Sequence, residues 1–263
     1  MNDGEEILHG GNVSGRVVRI GETVRKPATQ ATPGVDMFLQ HLEASGFRGA
    51  PRSFGRDEQG RQILEYIPGV PCRVDMPFAL ADLVRVGALI REFHEVSAHF
   101  RREAGAHWNR VMAPDGDELI CHNDLAPWNL IRDGERWVFI DWDGAGPGTR
   151  LWDLAYAAGT FLPIEASGSP DSDVPRLRAI VEGYGLDRAQ RQDLPRLMLR
   201  RTRAMHRLLV DGACSGQQPW ARLHAEGHAV YWFGAAQYIE RSLSCFEEAL
   251  LSSAKDCGTS LGK

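Results

Sequence analysis

The stretch ICHNDLAPWNLI (Ile120–Ile131) places a histidine, two asparagines and an aspartate between short apolar flanks. It is followed by VFIDWDG (Val138–Gly144), an apolar run broken by two aspartates. Pro127 lies between Asp124 and Asn129, and proline cannot donate a helix hydrogen bond, so the segment predicts a folded loop rather than a helix. Such a loop can aim a carboxylate and an amide oxygen into one pocket.

A β-hairpin is predicted directly after this loop. The segment LIRDGERWVFI (Leu130–Ile140) has two apolar runs about an Asp-Gly turn, and this pair is a strong hairpin signal. The hairpin returns the chain to the edge of the loop and brings Asp141 beside Asn129. We therefore expect Asp124, Asn129 and Asp141 to form one cluster.

The residue types in this cluster suit phosphoryl transfer. A carboxylate from Asp141 and an amide oxygen from Asn129 are ligands for Mg²⁺, which takes its other ligands from water and substrate phosphates. Asp124 is then free to accept the proton of a hydroxyl nucleophile. This reaction asks the protein for a base and metal ligands but for little covalent chemistry. The bland alternative is a structural turn rich in Asp and Asn.

The first seventy residues supply parts of a nucleotide site. Two strands, Arg16–Ile20 and Thr23–Lys26, flank a tight turn, and the glycine-rich GGNVSG precedes them. The backbone of such a loop can donate N–H groups to phosphates, which makes Gly11, Asn12 and Ser14 candidate contacts. Lys26 can reach the α- and β-phosphates as a point charge, with Arg25 as the alternative set by strand register.

The remaining pattern predicts an α+β chain. A helix is expected at Val35–Gly46, a strand at Arg61–Ile67, and a loop at Ala28–Gly34 between strand and helix. Apolar spacing of three and four predicts one long helix from Phe78 onward. Further along, the expected elements are a surface loop at Gly168–Asp173, helices at Val174–Tyr184, Arg188–Leu209 and Trp220–Leu251, and a frayed tail after Leu251.

Composition limits the class of protein. A net charge of -5 over 263 residues argues against nucleic-acid binding and suits a cationic small substrate. The five scattered cysteines form no CxxC pair, so neither a disulfide framework nor a zinc site is indicated. The N-terminus has no secretory pattern, and no apolar run approaches the ~20 residues of a membrane span. A cytoplasmic protein, monomeric or homodimeric, is expected.

The order of these features resembles the aminoglycoside phosphotransferase and choline kinase-like family. The resemblance covers roughly 5–251 and depends most on His122-Asn-Asp124 with Asn129, and on Ile140-Asp141-Trp-Asp143. It implies a bilobal protein kinase-like fold, with a small antiparallel β-lobe and a larger helical lobe. The implied boundaries are 1–67 for the nucleotide-binding lobe, 68–71 for a hinge and 72–263 for the helical lobe with the acceptor site.

The resemblance also implies roles for individual residues. Asp124 is the catalytic base, and Asn129 with Asp141 holds magnesium. Lys26 contacts the ATP phosphates, and the backbone from Glu65 to Ile67 contacts the adenine. Two further residues have structural roles: His122 braces the catalytic loop, and Asp153 orders it. For Asp143 the resemblance leaves a supporting role and a metal contact both open.

Two departures from related kinases are visible. Protein kinases carry a lysine two residues after the base, where this chain has Ala126, and no APE segment follows Asp141. Small-molecule phosphorylation is therefore favoured. The helix glutamate that pairs with the lysine has no clean counterpart, because Val35 aligns there, Asp36 is adjacent and Glu43 lies more than one turn later.

The expected function is transfer of the γ-phosphoryl group of ATP, with Mg²⁺, to a hydroxyl of a small molecule. An aminoglycoside-type antibiotic is the lead acceptor, and a metabolic amino alcohol or sugar is the alternative. Possible acceptor contacts in the C-terminal helices are Asp211, Trp220, Glu226 and Glu240. Two hypotheses of other classes are a nucleotide-binding pseudokinase scaffold and a metal-dependent hydrolase with His122, Asp124 and Asp141 as ligands.

Overall fold

A computed structural model describes residues 4–8, 16–73, 75–76, 78–109, 111–162 and 164–252. The chain forms two compact units: residues 1–76 with 92–153, and residues 77–91 with 154–263. The loop around Asp124 and the N-terminal sheet thus belong to the same unit. The boundaries of these units differ from those of the lobes expected at 1–67 and 72–263. The expected lobes stay a prediction. None of the described helices is long and apolar enough to cross a membrane.

The described elements bear out the α+β class. The strands are β1 (Glu6–Leu8), β2 (Val17–Ile20), β3 (Thr23–Lys26), β4 (Ser53–Arg56), β5 (Gln62–Glu65), β6 (Leu119–Cys121), β7 (Leu130–Asp133), β8 (Arg136–Phe139) and β9 (Gly146–Gly148). The α-helices are α1 (Thr32–Ala44), α2 (Leu80–Ser97), α3 (Arg150–Phe161), α4 (Pro170–Tyr184), α5 (Arg188–Ser215), α6 (Trp220–Ala225), α7 (His228–Arg241) and α8 (Leu243–Leu251).

The first unit contains a five-stranded antiparallel sheet in the order β1-β2-β3-β5-β4. The turn between β2 and β3 falls at Gly21, whose φ of 57° is a conformation that favours glycine. In the register of β3 and β5, Lys26 lies opposite Gln62. Strand β4 was not predicted, because its sequence SFGR contains one large apolar residue and shows no apolar alternation.

Helix α1 packs one apolar face into the core of this unit. Val35, Phe38, Leu39 and Leu42 are all at most 2% exposed, which is the face that their spacing predicts. The helix begins at Thr32, so the predicted loop at 28–34 is too long. A proline in the first turn needs no N–H partner there, which lets the helix begin earlier.

Two short antiparallel strand pairs flank the loop that contains Asp124. β6 pairs with β9, and β7 pairs with β8 in the predicted hairpin, with Asp133 opposite Arg136. All three residues of β6 and all three of β9 are buried. Because a three-residue strand is too short to show alternation, β6 and β9 were not predicted.

The second unit is helical in its described part. Helix α4 begins at Pro170, so the predicted loop at Gly168–Asp173 is wrong for its last four residues. Proline suits the first helical turn, and Asp171 and Asp173 lie where the helix dipole favours negative charge. Helix α5 extends to Ser215, and the segment from Trp220 to Leu251 forms three helices, with Gly227 at the start of α7. Of the predicted frayed tail, Ser252 is described and its N–H donates to the carbonyl of Glu248 at 2.9 Å, whereas 253–263 are outside the described residues.

Candidate active site

A buried carboxylate holds the loop that follows β6. The Oδ2 atom of Asp153 accepts the backbone N–H of His122 at 2.9 Å, and its Oδ1 atom accepts that of Asn123 at 2.8 Å. The ring of His94 approaches the same Oδ2 at 3.2 Å. Burial would raise the pKa of Asp153, but the hydrogen bond and charge of His94, with His122, outweigh it and lower the pKa. The carboxylate is thus held charged beneath the loop.

His122 connects the loop to the strand that precedes Asp141. Its Nδ1 atom accepts the backbone N–H of Asp124 at 3.3 Å, so we assign the proton to Nε2, which donates to the carbonyl of Ile140 at 3.1 Å. The side chain is completely buried and its ring lies 4.5 Å from that of Trp142. Both ring nitrogens are therefore occupied, and His122 is not positioned to bind a metal.

Asn129 lies against Asp124. Its side-chain Nδ2 donates to the Oδ2 atom of Asp124 at 2.7 Å and to the backbone carbonyl of Asp124 at 2.9 Å. Asn129 also accepts the backbone N–H of Ile140 at 2.8 Å, which fixes the loop to the end of the hairpin. With Nδ2 used in this way, the amide oxygen of Asn129 is the atom that can serve as a ligand.

Lys26 and Asp141 meet in the same unit. The ammonium of Lys26 is 3.3 Å from Asp141 and 2.7 Å from Asp143, and the lysine side chain is only 7% exposed. Burial would lower the pKa of Lys26, but the two carboxylates outweigh it and raise the pKa. Asp141 has φ 60° and ψ 62°, a left-handed conformation that is uncommon outside glycine. Such local strain is frequent at functional sites.

Strand register decides between Lys26 and Arg25. Lys26 points to the aspartates that follow β8, whereas Arg25 is on the other face of β3 and forms an ion pair with Asp57 at 3.6 Å. The Arg25 guanidinium also donates to Thr23 at 2.6 Å. Lys26 is therefore the basic residue of β3 that faces the cluster.

Asp36 of α1, which is adjacent to the expected glutamate position, forms hydrogen bonds with residues other than Lys26. One carboxylate oxygen of Asp36 accepts the hydroxyl of Ser53 at 2.6 Å and the side-chain amide of Gln62 at 2.7 Å. Gln62 is the cross-strand neighbour of Lys26. These contacts connect α1 to the sheet through β4 and β5.

Some backbone groups of Glu65–Ile67 already form hydrogen bonds within the protein. The N–H of Glu65 donates to Arg52 and that of Tyr66 donates to Glu22, at 2.9 and 3.0 Å. These two N–H groups are thus not available to an adenine ring. The Glu65 side chain accepts two hydrogen bonds from Arg136 at 2.7 and 3.1 Å.

Two other groups of expected contacts lie outside the described residues or outside the first unit. Gly11, Asn12 and Ser14 are outside the described residues. The four candidates for acceptor contacts are in the second unit, where Glu226 pairs with Arg222 and Glu240 pairs with Arg203.

The donor set fits magnesium bound with a nucleotide. Asn129 is 5% exposed with its amide nitrogen engaged, and the Asp141 side chain is 28% exposed. In the described part of the chain, no three His, Cys, Asp or Glu side chains form a complete metal site. An amide oxygen and a carboxylate leave coordination positions for phosphate and water, which is how Mg²⁺ is usually held.

Three residues of the site were not predicted. Asn123 has φ 66° and donates from its side chain to the carbonyl of Gly144 at 3.0 Å, which fixes the loop to the turn after Asp141. Asparagine beside the motif is the available signal, because it tolerates positive φ. His94 and Gln62 gave no sequence signal, since a buried partner on a distant element leaves no local pattern.

Comparisons with known proteins identify the family of this chain. The sequence profile of the "Phosphotransferase enzyme family" matches residues 97–199, which include the whole loop and hairpin. Trifolitoxin immunity protein of Rhizobium leguminosarum bv. trifolii is 31% identical over an alignment of 205 residues, and the match covers 73% of this chain and 77% of the relative. The chain belongs to the phosphotransferase enzyme family, and its class is that of the small-molecule phosphotransferases.

Solved structures show the same kinase-like fold. A microcompartment-associated aminopropanol kinase superposes with a TM-score of 0.66 at 17% identity, covering 95% of each chain. An amicoumacin kinase in complex with AMP-PNP, Ca²⁺ and Ami superposes with a TM-score of 0.64 at 12% identity, covering 80% of this chain and 81% of the other. These similarities, which span most of the chain, establish the fold.

Proposed function

We propose that the chain transfers the γ-phosphoryl group of ATP, as its Mg²⁺ complex, to a hydroxyl group of a small molecule. The observation that carries the proposal is the 2.7 Å hydrogen bond from the Asn129 amide to the Asp124 carboxylate. It joins a proton acceptor to a metal ligand, and the reaction requires these two groups side by side.

Each residue of the cluster has a distinct part in this proposal. Asp124 orients the acceptor hydroxyl and takes its proton as the new P–O bond forms and the bond between the γ-phosphorus and the bridging oxygen breaks, which releases ADP. Asn129 holds the Asp124 carboxylate through Nδ2, and its oxygen with Asp141 holds the metal. Lys26 positions the triphosphate as a cation. Bound Mg²⁺ would neutralise the charge of the β- and γ-phosphates.

ATP and a divalent cation are supported by likeness to the amicoumacin kinase, whose structure holds AMP-PNP and Ca²⁺. The donor set agrees, because two oxygen ligands need the phosphates to complete the coordination. The glycine loop, including Gly11, Asn12 and Ser14, and the Glu65–Ile67 backbone remain proposed nucleotide contacts. For adenine, the carbonyl groups of Glu65–Ile67 and the N–H of Ile67 are the proposed partners.

The proposed acceptor is a cationic antibiotic, with an aminoglycoside-type compound as the lead. The relative named as an immunity protein and the amicoumacin kinase support an antibiotic, and the net charge of -5 suits a cation. An amino alcohol is the second candidate, because one similar structure is an aminopropanol kinase. The hydrolase hypothesis is disfavoured, since the His122 ring nitrogens are already hydrogen-bonded.

The test is an ADP-release assay with Mg²⁺-ATP against aminoglycosides, trifolitoxin, amino alcohols and sugars. Wild-type protein is run beside Asp124→Ala, with Asp133→Asn as a control because Asp133 is exposed at the hairpin turn. We expect ADP release that depends on one acceptor class, is lost in Asp124→Ala and is kept in the control. ATP binding without turnover for any acceptor would instead support the pseudokinase scaffold.

A further inference from the structure

The ammonium of Lys26 requires a carboxylate partner in the folded chain. Its side chain is 7% exposed, and a buried charge is tolerated only when it is paired and hydrogen-bonded. In the family that this chain resembles, a glutamate of the first helix forms the ion pair with this lysine. This sequence has no glutamate at the aligned position, which is Val35. The question is which residue of this chain supplies the missing carboxylate.

Neither acidic residue of α1 takes this part in the described structure. The Oδ1 atom of Asp36 accepts from Ser53 and Gln62 at 2.6 and 2.7 Å. Glu43 is exposed at the far end of the helix and lines a surface cavity with Arg52. Among the described residues, the ion pairs of Lys26 are instead with Asp141 and Asp143.

The two aspartates are not equivalent partners. Asp143 is 2.7 Å from the ammonium, which is a charge-assisted hydrogen-bond distance, whereas Asp141 is 3.3 Å away. In the proposed function Asp141 is a metal ligand, so its carboxylate would be shared with a dication. Asp143 is then the carboxylate that remains for Lys26.

The position of Asp143 is fixed by its neighbours. Residues 142–144 form a single 3₁₀ turn, and Trp142 within it is 2% exposed. The Trp142 indole donates to the carbonyl of Phe139 at 2.7 Å, and Asn123 donates to the carbonyl of Gly144 at 3.0 Å. A carboxylate on so constrained a turn can hold a flexible lysine in one place.

We propose that Asp143 is the positioning residue for Lys26 and replaces the helix glutamate in this chain. The inference deepens the proposed function and depends on it. It assigns Asp143 to the lysine and not to the metal. Removal of the Asp143 carboxylate should then disturb phosphate positioning and leave metal affinity intact.

The experiment is a double-mutant cycle of Asp143→Asn and Lys26→Met, with Asp133→Asn as the matched exposed control. Turnover is measured with the acceptor found above. Mn²⁺ affinity is measured separately by electron paramagnetic resonance in the presence of AMP-PNP, without turnover. Asp141→Asn serves as the reference for a lost metal ligand, and thermal unfolding verifies that each variant is folded.

We expect Asp143→Asn to lower kcat by about tenfold, which is less than the loss of a wholly broken buried charge pair, because Asp141 still offers Lys26 a carboxylate at 3.3 Å. Its Mn²⁺ affinity should match that of wild type, whereas Asp141→Asn should lose affinity. In the Lys26→Met background, Asp143→Asn should change kcat by less than about twofold, because the group it positions is already gone.

Two results would overturn the assignment. Weaker Mn²⁺ binding by Asp143→Asn would identify Asp143 as a metal ligand, and a full additional loss in the Lys26→Met background would show that it acts independently of the lysine. Failure of the proposed function itself is recognised differently, because wild-type protein would then release no ADP with any acceptor, whether or not it binds AMP-PNP and Mn²⁺.

Discussion

The ring of His122 donates to the carbonyl of Ile140 at 3.1 Å, across 18 positions of sequence. This bond joins the loop that carries Asp124 to the residue directly before Asp141. Because His122 is fully buried, the bond is shielded from water and the two halves of the site are held at a fixed separation. We therefore expect His122 to act as a structural residue that sets the geometry of the site.

His122→Ala should reduce both stability and turnover. The change removes a buried ring and leaves the Ile140 carbonyl without this donor, which should cost about 3 kcal/mol of unfolding free energy. Urea unfolding and kcat provide the two measurements, with His224→Ala at an exposed position of α6 as control. Wild-type kcat in a folded His122→Ala protein would contradict a positioning role.

Asp153→Asn should destabilise the protein in a pH-dependent manner. The pKa of Asp153 is lowered in the folded state, so its charged form adds stability above the unfolded pKa of about 3.9, and this is lost as pH falls toward the folded pKa. We expect a cost of about 2 kcal/mol at pH 7, shrinking toward pH 3. Equal costs at both pH values, measured by urea unfolding, would count against a charged Asp153.

Asn129→Asp should move the acidic limb of the pH–rate profile upward. A second carboxylate would face Asp124 where the amide now donates at 2.7 Å, and like charges raise the pKa of one of a pair. The base then stays protonated to a higher pH. The profile of kcat/KM against pH tests this, with Asn129→Ala as the comparison that adds no charge. An acidic limb that does not shift would show that the side chain at position 129 does not influence protonation of Asp124.

Gly183→Ala should destabilise the second unit. A Cβ atom at Gly183 would lie 2.0 Å from the backbone oxygen of Val84, and one at Gly87 would lie 2.2 Å from that of Ile180. Since backbone cannot move aside cheaply, we expect a loss of about 3 kcal/mol of unfolding free energy. The control is Gly159→Ala in α3, where the nearest atom is 3.9 Å away and alanine should gain about 1 kcal/mol. Similar effects at both positions would refute the steric reason.

The sequence predicted the elements whose pattern is local. The hairpin after Asn129 and the apolar face of α1 follow from turn chemistry and from helical spacing, and both were confirmed. The proximity of Asp124 and Asn129 also follows from five residues of separation about a proline. In these cases a few neighbouring side chains decide the backbone.

Other features depend on partners distant in sequence. That His94 contacts Asp153 across 59 positions, or that Lys26 meets Asp143, is determined by tertiary packing, which leaves no periodic signal. The choice between Arg25 and Lys26 likewise required the register of β3 with β5. Helix starts at Thr32 and Pro170 were missed because Pro and Gly nearby resemble loop signals.

The hydrogen bonds of Asp36 have a consequence for control of activity. Because Asp36 is bound to Ser53 and Gln62, α1 is secured to the sheet by contacts that exclude Lys26. In protein kinases the position of this helix controls activity through the ion pair of its glutamate with the lysine, whereas here Lys26 pairs with Asp143. We therefore expect α1 to keep its place against the sheet whether or not a nucleotide is bound.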